Sequence, residues 1–207
     1  MKIVSFVLFA ILFLAAPALS LDGVAILKQV DKNLQPESFE SYRKLINIEP
    51  SGAKREFLLF TLKKGNDKIV SLFLSPASEK GRATLRLGDN MWLYIPNVGK
   101  PVRITSLQSV VGGVFNNADI MRLDYNVEYD VQNIEDNKSE YILDLKAKTG
   151  AVAYDKLKMW VDKQTVVPTK IECYAATGLL IKTLYLKERK PFDDNMMRPS
   201  IIETDSP

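Results

Sequence analysis

A mainly β fold of the α+β class is predicted for this chain, and three observations carry the prediction. Short apolar or alternating runs recur along it, separated by turn signals rich in Gly, Pro, Asn and Asp. A helical spacing of apolar residues is convincing only once near the start. The connections between most runs are short enough for hairpins, so consecutive strands should pair antiparallel. About eleven strands follow one N-terminal helix on this reading.

The first segment is expected to lie outside the fold. Lys2 precedes an apolar run over residues 3–16, and Pro17 and the small-residue stretch Ala18-Leu19-Ser20 follow. A positive start, an apolar run and an A-x-A-like site are the layout of a secretory signal peptide cleaved after Ser20. The run is shorter than the roughly 20 residues a bilayer-spanning helix needs, so a retained anchor is the less favoured alternative. Residues 21–207 then form one exported domain, and no cysteine follows the cleavage site to take a lipid.

Asp22 can cap a helix whose stripe is Val24, Leu27, Val30 and Leu34 and which Pro36 ends. Strands are expected over residues 41–48, 56–62, 68–75, 83–87 and 91–95. A second set covers 123–134, 141–146, 154–162, 167–174, 179–188 and 197–203. In the Lys156-Leu157-Lys158-Met159-Trp160-Val161-Asp162 stretch, Leu157, Met159 and Val161 share one face. The runs Phe57-Leu58-Leu59-Phe60 and Ile69-Val70-Ser71-Leu72-Phe73-Leu74 instead carry apolar groups on both faces, unlike a sheet solvated on one side. Either a helix packs on the sheet or the strands line an apolar ligand cavity, and a large curved sheet accommodates both.

Composition narrows the function classes. Lys and Arg number 28 against 25 Asp and Glu, a net charge of +3 that offers no clustered basic face for nucleic acid. Histidine is absent, which removes the commonest general base and zinc ligand and every Ser–His or Cys–His nucleophile pair. Enzymes can work without histidine, but catalysis is disfavoured here, and no metal-binding cluster stands out in the sequence. The single cysteine, Cys173, reads as a small buried hydrophobe, and an exported chain without disulfides fits a bacterial periplasm. Asn137-Lys138-Ser139 reads as a turn. The acidic pairs Glu135-Asp136 and Asp193-Asp194 read as solvated, as do Lys100 and Arg103 by default.

Residues 97–119 interrupt the meander with a connection too long for a hairpin. Connections above about 12–15 residues are usually functional covers or disordered, and this one is too apolar for simple disorder. Leu107, Val110, Val111 and Val114 follow helical spacing, Phe115 extends the apolar set, and Gly112-Gly113 supply a hinge. The segment is a fixed amphipathic plug at one end of the sheet or a mobile lid over an apolar interior. Gly112-Gly113 lack the flanking pattern of a phosphate loop.

The segment Gly88-Asp89-Asn90-Met91-Trp92-Leu93-Tyr94-Ile95-Pro96 is followed in order by Arg103-Ile104, Trp160-Val161-Asp162-Lys163, Pro168 with Lys170, and Met197-Arg198-Pro199. This series resembles the bacterial outer-membrane lipoprotein-sorting family, relatives of the periplasmic LolA-like carriers, over nearly the whole exported chain. The resemblance implies an incomplete antiparallel β-barrel with a helical lid, an apolar cavity for acyl chains, no cofactor and no catalysis. It further implies a periplasmic shuttle for acylated lipoprotein or lipid, working with an RND-type (MMPL-like) inner-membrane exporter and touching membranes peripherally at most. An accessory subunit that docks on an envelope transporter without carrying cargo is the alternative. The expected lining and lid residues are Phe57, Leu59, Leu72, Leu74, Trp92, Leu107, Val110, Val111, Val114 and Phe115, hinged at Gly112 and Gly113.

Overall fold

The computed structural model describes residues 22–192 and 195–205. The proposed signal segment and the Asp193-Asp194 pair lie outside the described residues. Helix α1 (Gly23–Leu34) begins where expected, because the Asp22 carboxylate accepts from the Val24 and Ala25 N–H groups at 3.0 and 3.1 Å. Leu27 and Val30 are fully buried on its inner face, whereas Val24 is exposed. At Gly23 a Cβ would sit 2.7 Å from Val131 Cγ1, so only glycine lets the helix start so close to the sheet.

Two six-stranded antiparallel meanders follow. The first contains β1 (Phe39–Ile48), β2 (Lys54–Lys64), β3 (Lys68–Ser75), β4 (Ala83–Leu87), β5 (Asn90–Tyr94) and β6 (Val102–Ile104), in that spatial order. The second contains β7 (Tyr129–Asp136), β8 (Glu140–Ala147), β9 (Lys156–Asp162), β10 (Val167–Tyr174), β11 (Leu180–Pro191) and β12 (Met197–Asp205), again in sequence order across the sheet. No strand pairing joins the two sheets among the described residues, so the barrel is incomplete.

The count differs from the sequence expectation at two places. Strand β6 is a three-residue edge strand paired with Met91, Trp92 and Leu93, too short to show a period. Residues 123–128 do not extend β7. The Asp31 carboxylate accepts from the Tyr125 and Asn126 N–H groups, and the chain makes the single helical turn α3 (Tyr125–Glu128) there.

The core lies between the sheets. Leu27 and Val30 of α1 pack with Leu143, Leu145, Leu157, Met159, Val161 and Ile171 of the second sheet. The first sheet contributes Leu45, Phe57, Leu59 and Phe73. Filling the space between them is the connection from β6 to β7.

Candidate functional site

The inner face of the first sheet is graded along its strands. Cross-strand register places Leu45 opposite Phe57, and Arg43 opposite Leu59 with Phe73 beyond it. The next row inward holds Ser41, Thr61, Ser71 and Thr84, with the Thr61 and Ser71 hydroxyls 3.2 Å apart. A further step along the strands brings Lys63, Ile69, Arg86 and Met91 into one row. One end of the surface is therefore apolar, the middle carries hydroxyls, and the other end carries two buried cations. Strand alternation produces this, since residues two apart share a face.

The segment between β6 and β7 covers that surface with matching chemistry. Val110 is buried against Leu45, Phe57, Leu59 and Phe73, with Val111, Phe115 and Ile120 alongside. Met121 and Leu123 cover Ile69 and Met91. At the cationic end Lys63 Nζ donates to Asp124 at 2.7 Å, and Arg86 pairs with Glu128 while donating to the Met121 carbonyl at 3.1 Å. Between these ends Arg43 donates to the Ile120 carbonyl at 3.2 Å. Burial, aided by the like charge of Arg122, lowers the Arg43 guanidinium to about 10. From the opposite sheet, Lys182 on β11 donates to the Val114 carbonyl at 2.7 Å and to Asp119 at 2.9 Å.

Local structure in the cover follows from its caps. Helix α2 (Asn117–Ile120) starts in a capping box: the Asn116 side chain accepts from Asp119 N–H, and Asp119 accepts from Asn116 N–H. Tyr154 donates its hydroxyl to Asp119 at 2.8 Å and accepts from Asn116 Nδ2 at 2.9 Å. Residues 107–114, whose spacing predicts helix, form a tight loop instead. Val111 and Gly112 take φ of 49° and 74°, Val110 N–H donates to the Phe115 carbonyl, and Ser109 bridges Asn116. The helical turns of the lid thus lie beyond the predicted stretch, at α2 and α3. Gly112 is required for its backbone angle. Gly113 is required for space, because a Cβ there would lie 2.2 Å from Asn47 Oδ1.

Of the expected lining, the structure gathers Phe57, Leu59, Val110, Val111 and Phe115 into one cluster. It separates the others. Leu72 and Leu74 alternate with the buried Ser71 and Phe73, so they lie on the outer face of β3 and are only half-buried. Trp92 is likewise on the outer face of β5, paired opposite Arg103, whose guanidinium carbon stands 5.3 Å from the indole centroid. Leu107 and Val114 are 59% and 45% exposed, on the solvent side of the loop. Grouping these five with the interior is corrected by the pleat and by the loop reversal at Val111-Gly112.

Sequence reasoning missed Lys63, Arg86 and Lys182. The signal for one of them was present, since Lys63 continues the period-two series Phe57, Leu59, Thr61, whereas Arg86 alternates with Leu85 and Leu87, a pattern that by itself points it outward. Cys173 is buried, and burial pushes its thiol far above the usual range, as befits a packing residue. A void of about 30 Å³ lies between Arg122, Tyr125 and Cys173, and an open cavity of about 480 Å³ lies where Phe57 and Val111 meet Arg55, Glu56, Pro76 and Glu79. Among the described residues no group of three or more His, Cys, Asp or Glu could hold a metal ion, and no helix is long and apolar enough to cross a membrane.

A family model described as "uncharacterized protein" matches residues 65–206. Comparison with curated proteins returns no match. Among solved structures, the chain is similar to a LolA superfamily protein from Nitrosomonas europaea, with 28% identity and a TM-score of 0.78 over 88% of this chain and 84% of that one. It is similar in fold to a domain named as an outer membrane lipoprotein-sorting protein from Vibrio parahaemolyticus, at 21% identity and a TM-score of 0.72 over 89% of this chain and 85% of that one. A DUF1329 family protein from Desulfovibrio piger matches at 24% identity and a TM-score of 0.74, over 89% and 85% of the two chains. The chain therefore belongs to the family of uncharacterized proteins whose model spans residues 65–206, and its architecture is LolA-like.

Proposed function

We propose that this protein is a periplasmic carrier that takes up the acyl chains of lipoproteins or lipids between its two sheets and shields them across the envelope. The observation that carries the reading is the cover itself. The apolar end of the first sheet, Leu45, Phe57, Leu59 and Phe73, is closed by a loop and the single-turn helix α2 rather than by a strand or a long helix. Such a cover can be exchanged for cargo at modest cost. Burying one valine or leucine is worth about 1.5–3 kcal/mol, whereas an acyl chain contributes about 0.8 kcal/mol per buried methylene. A long chain therefore competes with the few apolar residues that Val110 and its neighbours place on the sheet. The lipoprotein-sorting name of one structural relative supports the same cargo class.

The exported location rests on the signal layout of residues 1–20, and partnership with an RND-type inner-membrane exporter rests on the family resemblance alone. A binding role without chemistry fits a histidine-free chain. The close packing of Val110 on Leu45, Phe57, Leu59 and Phe73 favours a second reading, an accessory subunit that docks on a transporter and never opens. Titration calorimetry with a long-chain acyl probe separates the two. A carrier binds it with a negative heat-capacity change, the signature of apolar burial. Soluble sugars and nucleotides should not bind. No acyl binding in calorimetry or by an environment-sensitive acyl fluorophore would overturn the carrier reading in favour of the accessory one.

A further inference from the structure

Phe57 and Lys63 are six residues apart on the inner face of β2, about 20 Å at the rise of a strand. Over that length the surface passes from the apolar pair Leu45 and Phe57, through the hydroxyl row, to Lys63 and Arg86. The side chains of these two cations are 0% and 2% exposed. The cover supplies apolar groups at one end and the Asp124 and Glu128 carboxylates at the other. It is built like an amphiphile with an acidic head.

Opening the cover for cargo would strip Lys63 and Arg86 of their counter-ions inside the protein. Leaving a buried charge unpaired is strongly unfavourable, so whatever replaces the cover must bring negative charge to that row. One further polar group lies on the path to that row. The Ser41 hydroxyl, in the row between, is buried without a hydrogen-bond partner.

We infer that the cargo is an anionic amphiphile, whose acyl tail lies along Leu45, Phe57, Leu59 and Phe73 and whose phosphate or carboxylate head takes the places of Asp124 and Glu128 on Lys63 and Arg86. This rests on the carrier reading and narrows its cargo class. An uncharged acylated cysteine satisfies the apolar end and leaves the cations bare. Charge-assisted hydrogen bonds then set the preference, with an acidic amphiphile binding roughly ten- to a hundredfold tighter than its uncharged counterpart.

Displacement of an acyl fluorophore from the full exported chain tests this. Palmitate is compared with methyl palmitate, and dipalmitoyl phosphatidic acid with dipalmitoylglycerol. Inorganic phosphate and an uncharged triacyl lipopeptide form the remaining arms. The acidic member of each pair should win, and inorganic phosphate alone should not compete. The wild-type comparison needs no variant. As a second measurement, R86M with E128Q, and K63M with D124N, remove each ion pair whole and avoid an orphan charge. Each should reduce the preference several-fold. The exposed outer-face pair, K44M with E56Q, should leave it intact. Equal binding of charged and uncharged probes, or the lipopeptide outcompeting both acids, overturns the inference and leaves the carrier standing. Competition by inorganic phosphate alone overturns the amphiphile in favour of a plain anion site. Binding of no amphiphile overturns the carrier and the inference together.

Discussion

Asp31 shows how one buried carboxyl can tie a helix to the cover. It lies on α1 and accepts from the Tyr125 and Asn126 N–H groups at 2.7 and 2.8 Å, holding the start of α3. Burial lifts its pKa from the ordinary 3.8 to about 6, against the pull of those two donors. Between about pH 4 and pH 6 the folded protein thus holds a proton on Asp31 that the unfolded chain has already lost. The associated stability is fully present below about pH 4 and is lost as pH rises through about 6, an effect of about 3 kcal/mol. Asp31→Asn cannot titrate. The stability of the wild type relative to this variant, from urea unfolding, should therefore rise as pH is lowered from 7 to 4. A difference that stays flat across that range would show that Asp31 carries no such linkage.

At the scale of the element, the cover is a loop pinned at intervals rather than a helix lying on a sheet. Its apolar contact is concentrated in Val110, 6% exposed, whereas Leu107 on the same predicted stripe is 59% exposed. The two valines flanking Gly112-Gly113 divide in the same way, Val111 facing the cluster and Val114 the solvent. Val110→Asp would lose burial worth about 1.5–3 kcal/mol and bring a carboxylate against Leu45 and Phe57. Hydrogen exchange should then accelerate through residues 105–120 while β8, β9 and β10 keep their protection. Leu107→Asp should change neither. Equal effects of the two substitutions would restore the helical stripe and reject the loop.

For the whole molecule, the decisive contact is the one that reaches the cover from the far sheet. Lys182 and Asp119 have side chains only 5% and 4% exposed, and through them β11 grips the segment that lies on β1, β2 and β3. With no strand pairing between the sheets among the described residues, contacts of this kind and the apolar clusters hold the halves together. Lys182→Met leaves Asp119 buried without its cation and should cost about 3–5 kcal/mol. Asp119→Asn in the same chain should recover a large part of that loss, giving a clear coupling in a double-mutant cycle of denaturation midpoints. Additive losses would mean that the pair does not act as a unit.

The sequence by itself determined the mainly β class, the cap and length of α1, the boundaries of most strands and the antiparallel order within each sheet. All of these follow from local signals: a period of two, a capping carboxylate, and turns too short for any other pairing. It also marked residues 97–119 as the exceptional connection. Only the tertiary structure decided which face of Ile69–Leu74 turns inward, because a run apolar on both faces gives alternation nothing to read. The same holds for Leu72, Leu74 and Trp92, which lie outside. The ionic latch was equally out of reach. Its partners Lys63 and Asp124, Arg86 and Glu128, and Lys182 and Asp119 stand 61, 42 and 63 residues apart, and no local pattern links them. Charges so distant meet only after both sheets have formed, and burial between those sheets is what makes each pairing matter.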